Sequence, residues 1–175
     1  MRSLGALPAW PHPRDILDYY ERMTESLRVL RLHLATRPSP VVSGPFFGMT
    51  EEEIEGALCR LRDELDAQVV MSLSAGFEAV LRTDFEVRVI RRLKDGVSRA
   101  FRELAGEHGE SVRLEDILDV WKAHSGQAAL LGRLRQLLQF RHWLAHGRYW
   151  VQKSGVNPDP YDAWETAREV ATRIP

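Results

Sequence analysis

The sequence predicts an all-α helical bundle. Apolar residues recur at alternating intervals of three and four, and proline and glycine punctuate the recurring stretches. Alternating strand patterns are almost absent, Tyr149-Trp150-Val151 being the one short candidate.

The first helix starts behind Pro11-His12-Pro13. It sets Ile16, Tyr20, Met23, Leu27, Leu30 and Leu34 on one stripe and ends before Pro38 and Pro40, because a residue preceding proline avoids the helical region. Residues 37–49, rich in Pro and Gly, read as a surface loop. Thr50-Glu51-Glu52-Glu53 is a capping box, in which the hydroxyl takes one orphan N–H and Glu53 reaches back. The helix behind it carries Ile54, Leu58, Leu61, Leu65 and Val69, then Leu73, Phe77, Val80 and Leu81. Thr83-Asp84 reads as a fresh cap, opening a new helix or a kinked continuation with Phe85, Val89, Leu93, Val97, Ala100 and Leu104; residues 105–112 read as a loop. A short helix follows over Leu114–Ala123, broken by Ser125-Gly126. The next, Gln127–His146, turns Leu130, Leu134, Leu137, Leu138 and Leu144 inward and stops at Gly147 in a left-handed C′ position. Residues 151–160 are a loop, and Asp162–Arg173 is the last helix, entered from Pro160.

Length and composition bound this bundle. With 175 residues, 44% of them hydrophobic, residues 1–175 form a single domain with material for one packed core. The formal net charge of −1 sets up no global field toward nucleic acid or membrane. A single cysteine, Cys59, excludes an intrachain disulfide and fits a reducing compartment; it reads as a small buried hydrophobe. No apolar run approaches the ~20 residues that span a bilayer, and the N-terminus lacks a secretory apolar stretch. The expectation is a cytoplasmic protein with no membrane partner. No cofactor is called for, and His12, His33, His108 and His124 form no ligand set.

The stretch that carries chemistry is residues 140–150, Phe-Arg-His-Trp-Leu-Ala-His-Gly-Arg-Tyr-Trp. Arg141 continues the spacing of Leu130, Leu134 and Leu137, so it points toward the packed side, where an unpaired charge is costly. His146 lies five positions on, ~140° round an ideal helix. The two converge only if Arg141 extends along the helix and His146 sits at its end. Arginine presents a fork of donors to phosphate oxygens and to charge building in a transition state. Imidazole ordinarily titrates near pH ~6.5, which suits general acid or base work. Two other readings stay open: both residues capping carbonyls at a helix end, or His142 and His146 forming an i, i+4 zinc pair that lacks the acidic residue of HExxH and an obvious third ligand.

Arg141-His-Trp-Leu-Ala-His146-Gly resembles the R-x4–6-H signature of HEPN domains, all-α modules whose motif lies near the end of a late helix. The resemblance spans roughly residues 15–150 at fold level, with only the motif specific. It implies a HEPN-like bundle that dimerises, so that two motifs face one cleft. It further implies a metal-independent endoribonuclease, of the kind found among toxins with protein antitoxins, in phage defence and in RNA processing. The catalytic pair would be Arg141 and His146, leaving 2′,3′-cyclic phosphate and 5′-OH ends on an RNA substrate. Many members place an acidic residue on an earlier helix, and Glu78 within Phe77-Glu78-Ala79-Val80-Leu81-Arg82 is the candidate. Two departures stand out. His142 occupies a position that is often Asn, where it would bond phosphate or orient His146. The H-x-Y element modified in some members is out of step here, because the order is His146-Gly147-Arg148-Tyr149. A HEPN-like module that binds RNA or protein without cutting is the competing function.

Charge is segregated along the chain. Residues 51–66 hold seven acids and two arginines, whereas five cations and no carboxylate lie between Arg133 and Lys153. Arg148 would contact RNA phosphate and Tyr149 would stack an unpaired base. The cations of residues 82–102 read instead as a solvated face with ion pairs.

Overall fold

Six α-helices account for most of the 12–36, 43–147 and 158–173 stretches that the computed structural model describes: α1 Pro13–Thr36, α2 Glu51–Arg91, α3 Gly96–His108, α4 Leu114–Ser125, α5 Ala128–Ala145 and α6 Pro160–Arg173. No strand occurs among these residues, so the molecule is an all-α bundle. The strand candidate at Tyr149-Trp150-Val151 lies outside them. No described helix is long and apolar enough to cross a membrane.

Helix α2 is the spine. Its 41 residues extend ~60 Å at ~1.5 Å per residue, and α1, α3, α4, α5 and α6 all pack on it. It opens at the predicted capping box: Glu53 N–H donates to Thr50 Oγ1 at 3.2 Å, and Thr50 N–H donates to Glu53 Oε2 at 2.8 Å. Its inner face presents Leu65, Val69, Val70, Leu73, Phe77 and Leu81. Against it lie Ile16, Leu17 and Tyr20 of α1, Leu130, Leu131, Leu134, Leu137 and Phe140 of α5, and Ala163, Ala167 and Val170 of α6. Leu34, Ile54 and Leu58 form a satellite core between α1 and the start of α2. Two members of the expected stripe, Leu61 and Val80, face solvent. The intervals from Ile54 to Val80 average ~3.7 residues, so over a helix this long the stripe winds slowly round the 3.6-residue turn. Val80 and Leu81 also stand ~100° apart, and only Leu81 points in.

The fresh cap expected at Thr83-Asp84 is not there. Asp84 turns its carboxylate forward one turn to Arg88 Nε, at 2.8 and 3.0 Å, and the helix runs on to Arg91. The break comes at Arg92, in the left-handed region at φ +50°, and Asp95 caps the next helix by accepting from Ser98 N–H at 2.9 Å. Helix α3 also outlasts its expected end. It continues through the exposed Gly106 to His108, and one turn of 3₁₀ helix covers Gly109–Ser111 in place of the loop. Cys59 is exposed, contrary to expectation, because it sits one residue beyond Leu58 and off the buried stripe.

Arg88 ties α2, α3 and α4 together. Only 11% of its side chain is exposed; it pairs with Asp84 and with Asp95 at 3.2 Å, and its guanidinium lies 5.0 Å above the Trp121 ring. Phe101, fully buried, meets Phe85 and Trp121 edge-on below it. Burial pushes the Asp84 carboxyl above its ordinary value. The Ser98 hydroxyl and amide, with Arg88 behind them, hold Asp95 below its own.

A carboxylate with a lowered folded-state pKa stabilises the fold above its unfolded pKa and loses that contribution as pH falls through the folded value. Asp95→Ala is therefore expected to cost ~1 kcal/mol at neutral pH, as loss of an N-cap does. The difference from wild type in urea denaturation shrinks toward zero on acidification. A difference that is unchanged at acid pH would contradict the capping role.

Candidate active site

The site is built where α5 crosses α2. Ser74, fully buried, donates from Oγ to Val70 O at 2.7 Å and lies 3.5 Å from Leu137 O. A small side chain there lets the two backbones approach. One turn on, Phe77 packs into the core and Glu78 emerges beside it. Leu130, Leu134, Leu137 and Phe140 bury one side of α5, and Arg141 extends that side toward α2.

Arg141 and Glu78 meet. Arg141 Nη1 lies 2.9 Å from Glu78 Oε2, while Glu78 Oε1 accepts from Arg82 Nε at 2.9 Å. One carboxylate is thus held between two guanidiniums, leaving the cluster a net +1. The Oε2 atom is buried and has no aligned hydrogen bond, so its contact with Arg141 is one of charge. The Arg141 side chain stays 36% exposed, against 20% for Glu78. Fixing one end of the guanidinium by a carboxylate removes rotamer freedom and leaves other donors of the fork able to face a ligand. Arg82, expected only as part of a solvated face with ion pairs, belongs to this cluster. Its signal was the i, i+4 spacing from Glu78.

His146 does occupy the helix end. It is the C-cap of α5, donating its N–H to His142 O at 3.1 Å, and Gly147 follows at φ +75°, the left-handed residue expected there. The exposed His142 and His146 rings lie in tilted contact, with centroids 4.2 Å apart and planes at 59°. The structure therefore forms two couples, Arg141 with Glu78 and His146 with His142, on sides of α5 ~140° apart. Arg148 and Tyr149 lie outside the described residues.

The described arginines of the carboxylate-free strip are not a free cationic strip in space. Arg133 pairs with Glu169 of α6 at 2.8 Å, Arg135 with Asp119 of α4, and Arg141 with Glu78 of α2. Sequence neighbours do not set the local field when three other helices supply the counter-charges. Among the described residues no group of three His, Cys, Asp or Glu side chains is gathered as a metal ion would need, so the zinc reading of the histidine pair finds no third ligand there. A shallow hollow along α1, lined by Glu25, Ser26, Val29, Leu30 and His33, contains none of the predicted site residues. The chain matches no protein-family model, no curated protein and no solved structure.

The Glu78–Arg141 pair is partly exposed, so its coupling is modest. A double-mutant cycle with Glu78→Gln and Arg141→Met, read by urea denaturation, is expected to give ~0.5–1 kcal/mol. Full additivity of the two substitutions would show that Glu78 does not hold Arg141 in solution.

Proposed function

We propose that this protein is a metal-independent endoribonuclease of HEPN type, acting as a homodimer in which two copies of Arg141 and His146 line one cleft. The observation that carries the reading is the Glu78–Arg141 ion pair, set between α2 and the helix whose exposed end is His146. An arginine preset by a carboxylate and an accessible imidazole at a helix end are the groups that 2′-OH transesterification of RNA needs.

In the proposed reaction the ribose 2′-oxygen forms a bond to the adjacent phosphorus while one His146 takes its proton. The phosphorane that develops carries extra negative charge, which the Arg141 guanidinium binds. The bond from phosphorus to the 5′-oxygen then breaks, and that oxygen takes a proton from the partner subunit's His146. The products are a 2′,3′-cyclic phosphate and a 5′-OH. His142, whose ring is tilted against that of His146, sets the orientation of that ring. Dimerisation supplies what one chain does not: a second imidazole, and a short path between Arg141 and a histidine on the other side of the helix. A toxin or phage-defence setting, with a protein antitoxin, is the physiological context this activity fits.

The ion pairing of Arg133 and Arg135 favours a second reading, a HEPN-like module that binds RNA or a protein partner without cutting. Incubation of purified protein with single-stranded RNA in the presence of chelator separates the two. Cleavage to cyclic phosphate ends is expected, with Arg141→Ala and His146→Ala each lowering the rate at least ~100-fold and DNA left intact. Binding without cleavage would establish the module, and cleavage of DNA would overturn the mechanism.

A further inference from the structure

The strongest unassigned feature is the corner between α2 and α3. From Arg91 to Arg102 the chain carries five cations, Arg91, Arg92, Lys94, Arg99 and Arg102, and one carboxylate, Asp95. That carboxylate is already engaged by Arg88, Ser98 N–H and Ser98 Oγ. Elsewhere arginine is mostly held in ion pairs, as Arg14, Arg28, Arg31, Arg62, Arg113 and Arg168 show. Here Arg91, Arg92, Lys94 and Arg99 are all exposed, and none pairs with a carboxylate among the described residues.

The fold gathers these cations. Arg102 Nη1 donates to Leu93 O at 2.7 Å, which ties the second turn of α3 to the link that carries Arg92 and Lys94, and Arg99 lies one turn earlier on that side of α3. Arg92 itself sits at φ +50°, where Gly or Asn is less strained, so the corner keeps a guanidinium at a position that backbone preference alone would give to another residue. Ile90 and Leu93, both exposed, provide an apolar floor next to the charges.

We infer that this corner is a second contact for the RNA backbone, taking successive phosphates of a single strand whose scissile bond lies at Arg141 and His146. The inference rests on the endoribonuclease reading for its choice of polyanion. Glu78, which holds Arg141, and Arg91 lie on the same helix, ~20 Å apart along its axis, a span of a few nucleotides. Four exposed cations without counter-charges match a phosphate chain, and Ile90 and Leu93 offer flat apolar surface to an unpaired base.

The test measures binding of a 2′-O-methyl oligonucleotide, which cannot be cleaved, over a range of salt concentrations. The proteins are wild type, His146→Ala, a variant with Arg91, Arg92, Lys94 and Arg99 all changed to Gln, and one with the three arginines changed to Lys. Each phosphate contact adds ~0.7 to the slope of log K against log salt for a single strand, so the Gln variant should lose ~3 of that slope and at least tenfold in affinity. The Lys variant should bind like wild type, whereas His146→Ala, which removes a group from the scissile-bond site, should weaken binding while keeping the corner's share of the salt slope. Unchanged binding by the Gln variant, with its thermal unfolding also unchanged, would overturn the inference. Binding to vesicles containing phosphatidylserine in place of the oligonucleotide would overturn it as well. Corner-dependent binding by a wild type that cleaves no RNA would leave the inference standing and remove the endoribonuclease reading.

Discussion

The packing of α5 across α2 is the constraint on which the rest depends. Close approach at Ser74 brings Leu137 and Phe140 onto the apolar face of α2, and that contact fixes where the next outward positions fall. Glu78 and Arg141 are those positions. Their pairing follows from the register of the two helices, and the register follows from the core. Because the same α2 face also receives α1 and α6, a slip in this crossing would disturb the whole bundle as well as the site.

Much of this was legible in the sequence because helical periodicity and capping are local. The capping box at Thr50, the stop at Gly147 and the inward leucines of α5 each follow from neighbours within a turn or two. The Thr83-Asp84 cap failed for a reason that is also local but ambiguous. Asp can accept from backbone N–H at a helix start or from Arg at i+4, and here Arg88 offered a buried partner that also stacks on Trp121. The extent of α3 and the exposure of Cys59 depend on which helices lie alongside, and sequence periodicity does not report that.

Charge was the least legible property. A run without carboxylates around the motif looked like an open cationic strip, yet Glu169, Asp119 and Glu78 arrive from three other helices and pair with Arg133, Arg135 and Arg141. The cations of residues 82–102 looked like an ordinary solvated face. Arg82 and Arg88 are indeed ion-paired, but the end of that stretch is where unpaired cations collect. Ion pairing is a tertiary property, so net charge over a sequence window was a poor guide to the field at either place.

The central claim is that one phosphate of a single strand bridges Arg141, preset by Glu78, and the imidazole of His146. The most direct measurement is a titration of ¹⁵N-labelled protein with a 2′-O-methyl oligonucleotide, following the Arg141 Nε–H and His146 ring resonances. The account predicts that both move along one saturation curve. Movement confined to the α2–α3 corner, with Arg141 and His146 unshifted at saturation, would contradict it.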